Sequence, residues 1–128
     1  MNLQLSIYLT DLGNLFPFYI LVDEKLNVIS CGKSIKKLLP SLSNNNLNDC
    51  LAAERPYFNS LTFENLKLLN GQLLVLTSKQ KHTVNLRVQP QYFESENKVL
   101  FVGSPWFDSV ETLAESGLKI NDFAAYSP

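Results

Sequence analysis

One histidine, His82, in 128 residues leaves little room for imidazole chemistry. A His-based metal cluster needs several such ligands at set spacings, and a Ser-His-Asp triad needs its base beside a nucleophile. His82 instead sits in a charged stretch, Lys81-His82-Thr83, and is expected on the surface. The two cysteines, Cys31 and Cys50, make neither a disulfide scaffold nor a metal site. They read as half-buried thiols of a reducing compartment, with a bridge between them left open by sequence alone. The five glycines are scattered over turns and boundaries, so no Gly-rich loop cradles a phosphate. Charged residues are only 18% of the chain and the formal net charge is −1, which argues against a nucleic-acid platform. The short basic runs Lys33/Lys36/Lys37 and Lys79/Lys81/His82/Arg87 read as solvated faces. No run of 18 apolar residues and no cleavable leader pattern occurs, so no membrane association is expected and a cytoplasmic location is. No nucleophile–base pair stands out, and no enzyme activity, metal or cofactor is expected. Asp108, Glu111 and Glu115 read as the acidic first turns of a helix, with Asp108 or Ser109 as its cap. No kinase or cyclase segment is visible, so the chain is expected to be a piece of a longer protein.

What is present is a single domain's worth of core. Apolar residues make up 45%, and a chain of this length buries roughly two thirds of the surface its unfolded form exposes. Leu5, Leu9, Leu12 and Phe16 fall at i, i+4, i+7 and i+11, one stripe of a helix over 3–16, although Leu3 to Ile7 also alternates as a strand would. Ile7, Tyr8 and Leu15 widen that stripe beyond one core contact, and Pro17 ends the unit. Two short strands then flank the polar turn Asp23–Asn27, within residues 18–31. A small helix over 34–39 stops at Pro40. Ser41 to Asn48 reads as a polar loop, and Asn48 or Asp49 caps a short helical turn through Ala53. Thr62 opens a helix over 63–70 that Gly71 closes, with Phe63, Leu66, Leu69 and also Leu68 assigned to its inner face. Three strands follow, over 72–77, 83–93 and 98–103. Val84, Leu86 and Val88 point inward, and Pro90 marks an edge position or a bulge.

The expected architecture is therefore α+β. It has a five-stranded antiparallel sheet, helices between strands two and three, and an additional N-terminal helix. Residues 1–16 form that helix and 17–128 the remaining domain. Trp106 and Phe107, after the last strand, either cap the core or pack against a partner.

Several markers recur in order along the chain. They are Phe16-Pro-Phe-Tyr19, Cys31-Gly-Lys-Ser-Ile35 with Leu38-Leu-Pro40, Arg55-Pro56, Phe63-Glu64 through Leu69-Asn70, Phe101-Val-Gly-Ser-Pro105, Leu113, Gly117-Leu118 and Asp122. Over residues 16 to 126 this resembles the haem-NO-binding-associated domain, the PAS-like module of soluble guanylate cyclases and of some bacterial signalling histidine kinases. It departs from that pattern in the fourth strand, where a basic-Gly-Gln-Met segment is replaced by Leu86-Arg87-Val88-Gln89-Pro90. The resemblance implies a PAS-like fold that mediates dimerisation and relays the state of a haem nitric-oxide sensor, present in cis or in trans. A downstream coiled coil and a kinase or cyclase output domain are implied partners. On this reading a homodimer pairs through Leu5, Leu9, Leu12, Phe16 and Phe18, while Trp106, Phe107 and Leu118 relay to the output. The alternative is a PAS domain that senses a small molecule in an internal cavity lined by Leu38, Leu39, Phe63, Leu66, Val75, Leu86 and Phe101. The mostly large, apolar character of that lining favours a filled core.

Overall fold

In a computed structural model, the described residues are 13, 15–81, 84–107 and 109–123. The expected hairpin forms from β1 (Ile20–Val22) and β2 (Val28–Cys31). Its turn is held by Asp23, whose Oδ1 accepts the backbone N–H groups of Lys25 and Asn27 at 2.9 Å each. Helix α1 (Lys33–Leu38) follows, then a 3₁₀ turn (Pro40–Leu42) and the single-turn α2 (Leu47–Cys50), capped by Asn46.

The next segment departs from expectation. Leu51–Arg55 is a strand, β3, and turns back into β4 (Tyr57–Phe58). Leu51-Ala-Ala-Glu-Arg has the composition of a helix, but β3 lies along β5 and buries Leu51 and Ala53, so tertiary pairing overrides local propensity. Helix α3 (Phe63–Leu68) starts with a reciprocal cap between Thr62 and Asn65. Leu66 and Leu69 face inward, whereas Leu68 is 77% exposed, a correction to its expected place on the inner face.

Strands β5 (Leu74–Ser78), β6 (Asn85–Phe93) and β7 (Lys98–Trp106) complete one antiparallel sheet. It has seven strands and not five, in the order β2-β1-β7-β6-β5-β3-β4. The five expected strands lie side by side, and the β3–β4 hairpin is added on the β5 edge. Pro90 is neither on an edge strand nor at a bulge: it pairs with Phe101 in an unbroken β6–β7 register. It is tolerated because β5 pairs no further than Val88. The Pro90 carbonyl accepts the Gly71 N–H at 2.7 Å, so the position of its missing N–H also faces the side where β5 has ended. Beyond the sheet come α4 (Val110–Glu115), capped by Ser109, and the short α5 (Ile120–Phe123).

The main core lies between the sheet and the α1–α3 layer, with Ile20, Ile35, Leu38, Leu66, Leu76, Leu86 and Phe101 essentially inaccessible. A second, smaller cluster on the opposite face buries Tyr19, Leu21 and Leu100 against Phe93 and Val102. A Cβ placed on Gly13 would stand 3.7 Å from Tyr19, so Gly13 lies against this second cluster. No helix among the described residues is long and apolar enough to cross a membrane.

Candidate functional site

Of the residues expected to relay a signal, Trp106 and Phe107 line one trough at the C-terminal end, and Leu118 lies outside its lining. Strand β7 extends three residues further than expected, so Trp106 is part of the strand, opposite Asn85. Alternation sends Pro105 inward and Trp106 outward, where its indole is 52% exposed. Phe107 is half-buried against the main core. Trp106 and Phe107, with Pro105, Val110, Leu113 and Phe123, line an apolar trough of about 450 Å³. Gly117, at φ +79°, turns the chain so that Leu118 re-enters the core at 8% exposure.

After Leu118 the chain is fastened to α1. Ser34 Oγ donates to the Asp122 carbonyl at 2.6 Å, and Lys37 Nζ meets the Asp122 carboxylate at 3.0 Å. The Lys119 backbone N–H also donates to that carboxylate, at 2.6 Å. The Lys119 N–H and then the Lys37 ammonium hold the Asp122 carboxyl below its ordinary range. The Phe123 ring packs on Phe18 with centroids 5.3 Å apart. At its N-terminus, α1 is also tied to the N-terminal segment. The Pro17 carbonyl accepts the Ser34 and Ile35 N–H groups at 3.2 and 3.3 Å, satisfying two donors of the first helical turn. Gly32 makes this approach possible, because a Cβ there would lie 2.1 Å from the Pro17 oxygen.

Of the residues assigned to pairing, Leu5, Leu9 and Leu12 lie outside the described residues. Phe16 is 39% exposed, whereas Phe18 is 2% exposed, buried in the main core against the Phe123 ring, a correction to its expected place on a pairing face. His82 and Asp108 also lie outside the described residues. Ser109 caps α4, accepting from the Thr112 N–H at 3.1 Å, and Glu111 and Glu115 are exposed. Cys31 and Cys50 are free and buried, and burial pushes both thiols up from their ordinary range.

The residues proposed to line an internal cavity do not all share one space. Leu38, Leu39, Leu66, Leu86 and Phe101 are packed within the main core at 0–4% exposure. Phe63 packs edge-on against Tyr92 at its margin. Val75 belongs to the other face of the sheet, because in β5 it is Leu74 and Leu76 that point inward. There it lines a polar cleft with Arg87 and Trp106, which sequence reasoning missed. Alternation placed Arg87 outward, but its pairing with Trp106 needed the longer β7.

The geometry defines an α+β domain with helices on one face of an antiparallel sheet and its C-terminal segment latched to the first helix. The chain belongs to the family described as heme NO binding associated, whose pattern it matches over residues 5–85 and 77–127. It is 26% identical to the human guanylate cyclase soluble subunit alpha-2, over 93% of this chain and 18% of that protein. It is likewise 26% identical to the human soluble subunit beta-2, over 87% of this chain and 20% of that subunit. The rat soluble subunit alpha-1 matches at 24% over 88% of this chain and 18% of its own length. The chain thus spans about a fifth of the length of the curated relatives it matches.

Proposed function

We propose that the chain is a non-catalytic, PAS-like signalling module of a longer protein. It pairs with a second copy through Leu5, Leu9, Leu12 and Phe16, the Phe18 expected beside them being buried in the core. It passes the state of a haem nitric-oxide sensor to a histidine kinase or nucleotide cyclase output domain. Family membership and the guanylate cyclase relatives support the signalling context. The observation that carries the mechanism is that both ends of the domain meet on one helix. The segment that ends the pairing stripe holds the N-terminus of α1 through Pro17, and α1 holds the C-terminal segment through Ser34 and Lys37. Phe18 and Phe123 make the same connection directly, ring on ring.

A rearrangement at the N-terminal stripe therefore has a short, packed route to the exit at Phe123. Trp106 and Phe107 form the trough beside that exit, where an output helix docks. Such a relay shifts a population only if the sensor state binds two arrangements of the pair with different free energies. The interior-ligand alternative has no comparable support, since the side chains it requires fill the core or face the other way. Leu9→Asp combined with Leu12→Asp should give a folded monomer by circular dichroism and light scattering. A dimer that survives the double substitution would refute this pairing face.

A further inference from the structure

The outer face of the sheet is divided. Its β1–β7 half is apolar and covered, whereas its β3–β5–β6 half opens into a cleft of about 200 Å³. Glu54, Arg55, Val75, Asn85, Arg87 and Trp106 line the cleft. Arg87 and Trp106 are diagonal neighbours across β6 and β7, and the guanidinium carbon stands 3.7 Å from the indole centroid. Stacking fixes the plane of the guanidinium and directs its N–H groups along its edge. Among the described residues, Arg87 Nε is buried without a hydrogen-bond partner, which leaves the terminal N–H pair as the edge that a ligand in the cleft can reach.

The neighbours are already ordered by a small network that does not include Arg87. The single hydroxyl proton of Thr77 goes to the Glu54 carboxylate or to Asn85 Oδ1, 2.8 Å away. Where Asn85 accepts it, that residue's amide N–H groups remain as further donors. We infer that this cleft binds a small carboxylate, clamped by the planar N–H edge of Arg87. A planar fork matches a carboxylate bidentately. Arg55 supplies a second positive charge and Asn85 a neutral donor. The Glu54 carboxylate offers an acceptor to a ligand that also carries an ammonium. A dicarboxylate and an α-amino acid share the required chemistry.

Trp106 is the single tryptophan of the chain and lines both this cleft and the apolar trough, so intrinsic fluorescence reads the cleft when the Arg87 substitution abolishes the change. The purified 128-residue chain is titrated with succinate, glutamate and inorganic phosphate at matched ionic strength. A saturable change in Trp106 emission with succinate or glutamate, in the range of about 1 mM or tighter, is expected. The better of the two identifies the source as a plain diacid or an amino acid. Arg87→Lys keeps the charge and removes the fork, and should weaken binding at least tenfold. Should that variant melt early, Arg55→Gln, at an exposed position, should still weaken binding several-fold in a folded chain. No saturable response to either carboxylate, an equal response to phosphate, or unchanged affinity in the substituted chains would overturn the inference. The titration is independent of the relay reading, which stands or falls on solution mass.

Discussion

Replacing Gly32 with alanine tests the tie between the N-terminal segment and α1. At φ −67° and ψ 159° the backbone of Gly32 suits any residue. On conformational grounds alone the change should therefore stabilise by about 0.4–1 kcal/mol, through a less flexible unfolded chain. Space decides otherwise. The new Cβ would stand 2.1 Å from the Pro17 oxygen and 2.6 Å from its carbonyl carbon, both backbone atoms that no rotamer change can move. The Pro17 peptide must retreat by roughly 1 Å to reach ordinary contact, and its bonds to Ser34 and Ile35, at 3.2 and 3.3 Å, have no slack to follow. Two lost hydrogen bonds are worth about 1–3 kcal/mol, and overpacking adds about 1–3 kcal/mol. After the backbone gain, a net loss of about 1–5.6 kcal/mol remains. For a domain of this size that lowers the melting temperature by roughly 4–22 °C. Thermal melts followed by circular dichroism measure it, and amide exchange at Ser34 and Ile35 should accelerate in parallel. The sign is decisive. A melting temperature equal to or above that of the parent chain would show that Pro17 does not close over Gly32.

Gly103→Ala should be at least as damaging, because its Cβ would meet Arg87 O at 2.0 Å and Val88 Cα at 2.7 Å inside the β6–β7 pair; a melt unchanged from the parent would contradict that register. The latch at Asp122 should depend on pH. Its carboxyl is held below the ordinary range when folded, so its contribution is present above the unfolded pKa and is lost as pH falls through the folded one. Amide protection across Leu118–Phe123, corrected for the intrinsic slowing of exchange in acid, should therefore weaken on acidification below the usual carboxylate range, and Asp122→Asn should remove that dependence. A loss of protection of the same size in the substituted chain would assign it to another group.

The parts of this fold legible in the sequence are those where local chemistry and tertiary demand agree. Thr62 announces the start of α3, the Val84-Leu86-Val88 alternation survives as the buried face of β6, and the polar run Asp23–Asn27 forms the turn it suggests. The β3–β4 hairpin was hidden because Ala52, Ala53 and Glu54 favour a helix and only the neighbouring β5 edge makes them a strand. Pro90 misled for a related reason, since its cost depends on where β5 ends, which no local signal states. The candidate site was legible as residue types and not as contacts. Trp106, Phe107 and Leu118 stood out as apolar groups near the end of the chain. The Ser34–Asp122 bond spans 88 positions and has no periodicity to betray it.

The central claim is that this domain pairs with its own kind, and solution mass addresses it most directly. Light scattering behind gel filtration, over a tenfold range of concentration, should give about 29 kDa, twice the 14.5 kDa of one chain. A mass of one chain at every concentration would contradict the claim.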